Sequence, residues 1–203
     1  MIICIEGIDG AGKNTLVQAL VQQVDAEVLA FPRYQDSVAA QLAAHALHGE
    51  MGDMADSPYA MATLFALDRH GARSQLLPFA GTQDRLIVLD RYVASNAAYS
   101  VARTGNPDLA SWVYHLEFEQ LGLPTPDLQI LLTTEPEVAA QRAQQREIAD
   151  HTRNRDRYER DYGLQKRTYQ AYLELVRQEW GSPWLATTAA KDILQRIPHG
   201  LLR

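Results

Sequence analysis

Met1-Ile-Ile-Cys-Ile-Glu-Gly-Ile-Asp-Gly-Ala-Gly-Lys-Asn-Thr15 decides how the rest of the chain is read. Residues 2–5 are an apolar run suited to a buried strand. Gly7, Ile8, Asp9, Gly10, Ala11 and Gly12 then form a glycine-rich loop, Lys13 follows, and an amphipathic segment begins near Thr15. Strand, glycine loop and helix in this order are the parts of a phosphate-binding P-loop. Glycines let backbone N–H groups converge on phosphate oxygens. The helix N-terminus adds a fixed partial positive charge, and the lysine a mobile full one. The last position of the pattern is altered. Asn14 stands where Ser or Thr usually helps hold Mg²⁺, and Thr15 comes one residue later. Phosphate binding survives this change; the metal-ligand set is what it affects.

Outward from that stretch, apolar runs alternate with helical patterns, as in an α/β fold with a parallel sheet. The spacing predicts strands at 2–6, 27–31, 85–90, 127–132 and 183–187. Helices are predicted near 13–24, 36–48, 57–79, 92–103, 107–121, 136–147, 158–180 and 190–197. The expected architecture is a three-layer P-loop NTPase fold with a five-stranded parallel sheet flanked by helices. It forms a single domain over residues 1–203, with a lid segment at about 143–157. Ligands of such sheets lie beyond the carboxyl ends of the strands. The loops after residues 6, 31 and 90 should therefore meet in one cleft.

Composition narrows the partners. The 203 residues are 46% hydrophobic and 22% charged, which suits one globular domain with a full core. A net charge of −6 argues against a general nucleic-acid binder. One cysteine, Cys4, excludes an intramolecular disulfide, and its place in the first strand reads as a small buried apolar residue. A reducing, cytoplasmic setting fits this. Glu6 and Asp9 interrupt the N-terminal apolar run, so it is no signal peptide, and no run reaches membrane-spanning length. His45 and His48 share a helix face, for which a surface reading is preferred to a metal site.

The third strand, Leu86-Ile-Val-Leu-Asp90, ends on a carboxylate and is followed by Arg91 and Tyr92. A buried strand ending in Asp is the usual companion of a P-loop and helps hold Mg²⁺. A guanidinium beside it can bind two phosphate oxygens in parallel. The plainer reading is a local ion pair between Asp90 and Arg91.

Six segments together carry a resemblance: Gly7-Ile-Asp-Gly-Ala-Gly-Lys13, Phe31-Pro-Arg-Tyr34, Leu64-Phe-Ala-Leu-Asp-Arg69, Asp90-Arg-Tyr-Val-Ala-Ser-Asn-Ala-Ala-Tyr99, Leu121-Gly-Leu-Pro-Thr-Pro-Asp127 and Tyr158-Glu-Arg-Asp161. In order and spacing they resemble the motifs of bacterial thymidylate kinases, from residue 1 to about residue 187. The resemblance implies phosphorylation of dTMP to dTDP with ATP and Mg²⁺, by a homodimer that needs neither nucleic acid nor membrane. It implies that Gly7–Thr15 and Arg142 meet ATP, with Lys13, Asp9, Arg91, Arg146 and Arg153 serving the transfer. Phe65 would stack on thymine, Arg69 would donate to a thymine carbonyl, and Asn96 and Ser95 would read or hold the base edge. Tyr99 would exclude a ribose hydroxyl and Tyr158 would pack on the sugar. Arg33 would meet the acceptor phosphate while Tyr34 positions Asp9. Asp9, Asp90 and Glu159 would surround the metal.

Taken one at a time, these residues also have plain structural readings. Phe65 lies at helical spacing with Met61, Leu64 and Leu67, as a core residue would. Arg69 could pair with Asp68 or a surface Glu. Ser95 and Asn96 could be helix polarity, and Glu159 the favoured acid of a first helical turn. The arginines 142, 146, 153, 155, 157 and 160 could be a solvated face. Two other functions stay open at this level. One is a kinase acting on another nucleoside monophosphate or on a nucleoside. The other is a nucleotide-binding regulator without catalysis, supported by Asn14 alone.

Overall fold

The computed structural model describes residues 1–149 and 157–203, with side chains given outside 146–156. Five strands form one wholly parallel sheet: β1 (Ile2–Glu6), β2 (Glu27–Ala30), β3 (Ile87–Asp90), β4 (Leu128–Leu131) and β5 (Trp184–Ala186). The spatial order is β2-β3-β1-β4-β5. β1 is central because it can be: all five of its residues are buried. It registers Ile3 with Val88 on one side and with Leu128 on the other. β2, at an edge, leaves Val28 half exposed. All five strands lie where the apolar runs predict them.

Crossover helices cover the sheet: α1 (Lys13–Val21), α2 (Val38–Leu47), α3 (Pro58–Gly71), α4 (Arg73–Leu76), α5 (Val93–Thr104), α6 (Asp108–Tyr114), α7 (Pro136–Ala149), α8 (Arg157–Arg160), α9 (Tyr162–Arg177) and α10 (Ala190–Leu194). α1 buries Leu16, Val17 and Leu20 against β1 and β3. α5 is almost wholly buried between α6 and α9.

Two predicted helices are divided. The segment 57–79 starts as expected, with Ser57 Oγ accepting the Ala60 N–H and Pro58 in the first turn. It breaks at Gly71–Ala72, and Pro78 lies in a 3₁₀ turn at Leu77–Phe79. The segment 158–180 breaks at Asp161. That residue leaves helical geometry and accepts the Leu164 N–H at 2.8 Å, so it caps α9 rather than continuing α8. The segment 107–121 changes pitch: α6 passes into a π-helical turn at His115–Gln120. Residues 150–156 of the expected lid, 143–157, lie outside the described residues, Arg153 included, as does the Arg146 side chain.

The crossover pattern fixes the site. β1 has a neighbour on each side, β3 and β4, so the loops leaving its two flanks diverge and open a crevice at its carboxyl end.

Candidate functional site

A cavity of about 1590 Å³ opens at that crevice. This exceeds the usual range for one small ligand and suits two nucleotides side by side. Its walls include Asp9 to Thr15 from the P-loop, Asp90 and Arg91 from the end of β3, and Phe65 and Arg69 from α3. Ser95, Asn96, Tyr99 and Arg103 come from α5, with Arg142, Tyr158 and Glu159 beyond them. The P-loop is therefore continuous with a base-sized apolar recess about Phe65.

The loop is built for close approach. Gly10 has φ +84°, and a Cβ placed there would lie 2.0 Å from the carbonyl oxygen of Ala139. A side chain at this position would displace the loop or α7. Thr134 Oγ1 steadies the loop by donating to Ala11 O at 2.8 Å. Lys13 Nζ donates back to Gly7 O and Ile8 O, at 3.1 and 3.0 Å. Burial, and Arg91 nearby, pull its pKa down to about 8 against the opposing pull of Asp9, Asp90 and Glu6. Arg142 approaches Gly12, with Nη1 3.7 Å from the position a Cβ would take. Asn14 and Thr15 both line the cavity.

Between loop and recess lies Arg91. Its φ of +66° places a non-glycine residue in the left-handed region, a strained geometry that clusters at functional sites. Nη2 donates to Asp9 Oδ1 at 2.5 Å, Nη1 to Ser95 Oγ at 3.1 Å, and the guanidinium lies 5.5 Å from the Tyr99 ring centre. Asp9 is held on its other oxygen by Tyr99 Oη at 2.7 Å and Gln165 Nε2 at 3.1 Å. Burial would raise the Asp9 pKa, but Arg91, then Lys13 and these hydrogen bonds, keep it well below the usual carboxylate range. The turn at Arg91 is anchored from beneath. Glu6, fully buried, accepts the Tyr92 N–H, Ser95 Oγ–H and Tyr172 Oη–H at 2.8, 2.6 and 2.9 Å.

At the recess, Phe65 lines the cavity while Leu67 is exposed, so its helical spacing does not make it core. Arg69 and Asn96 are both buried and both reach the cavity wall. Arg69 gives Nε and Nη2 to Glu117 at 2.5 and 2.7 Å. Asn96 gives Nδ2 to Ala62 O at 2.9 Å and to Glu117 Oε1 at 2.8 Å. Tyr158 stacks against Tyr99 with ring centres 6.0 Å apart, and Arg103 covers its other side at 5.0 Å.

Several of the expected site residues have partners within the protein. Arg33 does not line the cleft. Asp68 captures it instead, with Nε on Oδ1 at 3.0 Å, its N–H on Oδ2 at 3.0 Å and Nη2 on the Asp68 carbonyl at 2.6 Å. The Asp68 carboxylate is fully buried, so this pair ties the loop after β2 to α3. Ser95, at the cavity wall, gives its hydroxyl to Glu6, with Tyr172 beside it, and so also anchors the Arg91 turn. Asp9 is held by Tyr99 and Gln165, and Tyr34 also lines the cavity. Asp90 and Arg91 form no ion pair; Asp9 takes the guanidinium.

Among the described residues no three His, Cys, Asp or Glu side chains gather to hold an ion by themselves. Yet Asp90 Oδ1 is buried without a hydrogen-bond partner at the cavity wall. An orphaned carboxylate oxygen is a fitting ligand for a hard cation that keeps waters and substrate phosphates as its other ligands.

Glu6, Glu117, Gln165, Tyr172 and Arg103 were not singled out from sequence. Glu6 carried a signal: a charged residue closing an otherwise apolar buried strand. The other four lie on helices at positions with no local pattern to distinguish them.

Comparison with known proteins agrees with this geometry. A family model described as thymidylate kinase matches residues 5–197. The thymidylate kinase of Mycobacterium tuberculosis is 52% identical over 200 residues, covering 95% of this chain and 93% of that one. A probable thymidylate kinase of Methanocorpusculum labreanum is 33% identical, covering 88% and 85%. A solved thymidylate kinase from Candida albicans shares the fold, with a TM-score of 0.65, 23% identity and coverage of 96% and 88%.

Proposed function

The chain belongs to the thymidylate kinase family, and we propose how its cleft carries out the family's reaction, phosphorylation of dTMP to dTDP with ATP. The observation that carries the assignment of roles is the single cavity that joins the P-loop to the Phe65 recess, with Arg91 between them. A donor polyphosphate on one side and a nucleoside monophosphate on the other would meet at that guanidinium.

An oxygen of the dTMP phosphate attacks the γ-phosphorus in line, and the bond to the β–γ bridging oxygen breaks to release ADP. The protein aligns two anions and neutralises the charge that gathers between them. Loop N–H groups from Gly7 to Thr15 and the Lys13 ammonium hold the donor, with Arg142 at its edge. Arg91 exchanges Asp9 for phosphate oxygens when they arrive; Asp9 then remains fixed by Tyr99 and Gln165. Asp90, with Asp9 and Glu159, would hold Mg²⁺, which supplies positive charge on the phosphates. Phe65 stacks on the base, Arg69 and Asn96 meet its polar edge, and the Tyr99–Tyr158 pair walls the sugar.

ADP release from ATP that requires dTMP tests this reading. Thymidine, which lacks the accepting phosphate, should give none above background. Equal release with thymidine would place the acceptor chemistry elsewhere.

We further propose that the working form is a cytoplasmic homodimer. Val38, Leu42, Tyr59 and Leu67, on α2 and α3, are large apolar side chains exposed on the single chain. Covering them with a second copy accounts for them. No helix among the described residues is long and apolar enough to cross a membrane. A monomer mass by sedimentation at micromolar concentration would refute the dimer.

A further inference from the structure

We propose that Glu117, a buried carboxylate on the π-helical turn behind the recess, sets the hydrogen-bonding polarity of the base-reading edge and so excludes cytosine. The proposal rests on the reading of the Phe65 recess as the dTMP base site and adds to it a residue that does not touch the base.

An amide can in principle offer either of its ends to a ligand. Asn96 cannot. Both groups that hold its Nδ2, the Ala62 carbonyl and the Glu117 carboxylate, are acceptors only. They consume its two N–H bonds and fix which end is nitrogen. No hydrogen bond among the described residues uses Oδ1, and the residue lines the cavity. Asn96 therefore presents an acceptor. The same carboxylate takes Nε and Nη2 of Arg69, leaving Nη1 with no hydrogen bond among the described residues. Arg69 can present only donors. The Glu117 carboxylate, shared by both residues, thus holds with the Ala62 carbonyl an ordered pair, donor at Arg69 and acceptor at Asn96. That pair complements the 4-carbonyl and N3–H of thymine or uracil. Cytosine offers a 4-amino donor and an N3 acceptor, which would set donor against donor and acceptor against acceptor.

The π-helical turn has a physical role here. Within His115–Gln120, Glu117 is the one buried residue, and wider turns of this kind recur at functional sites. Glu117 acts through Arg69 and Asn96, so it is a positioning residue. The readout must be selectivity, because loss of folding or of general activity would lower both rates together.

The test compares kcat/KM for dTMP, dUMP and dCMP in the unaltered protein and in Glu117→Gln. The glutamine can face Asn96 with its NH₂, opposing the demand of the Ala62 carbonyl, so the amide is no longer held one way. The dTMP to dCMP ratio should fall by about tenfold or more, the value of a charged hydrogen bond. The dTMP to dUMP ratio, which reads only the methyl group, should stay within about threefold. An unchanged dTMP to dCMP ratio in the variant overturns the role of Glu117. An unaltered protein that uses dCMP as well as dTMP overturns the base-site reading itself. If Glu117→Gln does not fold, solvent exchange of the Asn96 side-chain amide protons in the unaltered, ligand-free protein decides. Strong protection of both supports the proposal, and rapid exchange overturns it.

Discussion

Asp9 and Lys13 show how the same loop balances opposite charges before any substrate binds. Asp9 repels phosphate, yet the Arg91 guanidinium and the Tyr99 hydroxyl hold it ionised beside the loop. Lys13, buried among loop carbonyls, loses its proton at about pH 8 rather than at its usual value. An anion binds the charged lysine, so binding is favoured below that pH and weakened above it. ATP affinity should therefore fall as pH rises from 7 to 9.5, with the break near 8 in the free protein. Titration by calorimetry would show it, and Lys13→Arg should abolish the break because a guanidinium stays charged throughout. A flat profile in the unaltered protein would contradict the assignment. In the proposed mechanism, removing Arg91 deletes the cation between donor and acceptor, which should lower kcat by about a thousandfold or more. Single-turnover rates for Arg91→Ala measure this, with circular dichroism to show that the fold persists. A near-native rate would remove Arg91 from the mechanism.

The element scale explains why a small set of segments suffices. β1, the loop and α1 make a continuous unit in which Gly10 is pressed against the start of α7. Gly10→Ala puts a Cβ 2.0 Å from Ala139 O in a left-handed backbone. We expect it to displace either the loop or α7. ATP affinity should drop about a hundredfold, and stability by about 1–3 kcal/mol, a typical cost of overpacking. Equilibrium unfolding and ATP titration measure the two, and wild-type values for both would show that α7 does not hold the loop. α5 plays the complementary part. Ser95, Asn96, Tyr99 and Arg103 recur at helical spacing, and all four line the cavity. Ser95 faces Glu6 and Arg91, Asn96 the recess, Tyr99 Asp9, and Arg103 Tyr158.

These elements also mark how far a sequence can be read. The five strands were legible because buried parallel strands are short apolar runs, and the P-loop because its glycines follow one of them. Helix divisions were less so. The cap at Asp161 and the π-turn at His115–Gln120 depend on tertiary contacts that no periodicity records. The Arg33–Asp68 pair was not legible for the same reason: the two residues are thirty-five positions apart and meet only in the fold. Glu117 lies outside the quoted motifs because its partners are Arg69 and Asn96, far from it in sequence.

At the scale of the whole molecule, the sheet order turns scattered motifs into one machine. β1 is flanked by β3 and β4, so the P-loop, Asp90 and Arg91 emerge side by side, while α3 and α5 form the wall of the recess beyond. On the proposed reading, phosphate chemistry lies at the crevice and base recognition farther out, with Arg91 at the junction. On this reading one cleft both selects a thymine-bearing monophosphate and transfers a phosphoryl group to it. The most direct test is a competition. Equal concentrations of dTMP, dUMP and dCMP are incubated with limiting ATP and Mg²⁺, and the nucleoside diphosphates formed are separated and counted. We predict dTDP as the main product, dUDP as a lesser one and almost no dCDP. Comparable yields of dTDP and dCDP would contradict the account.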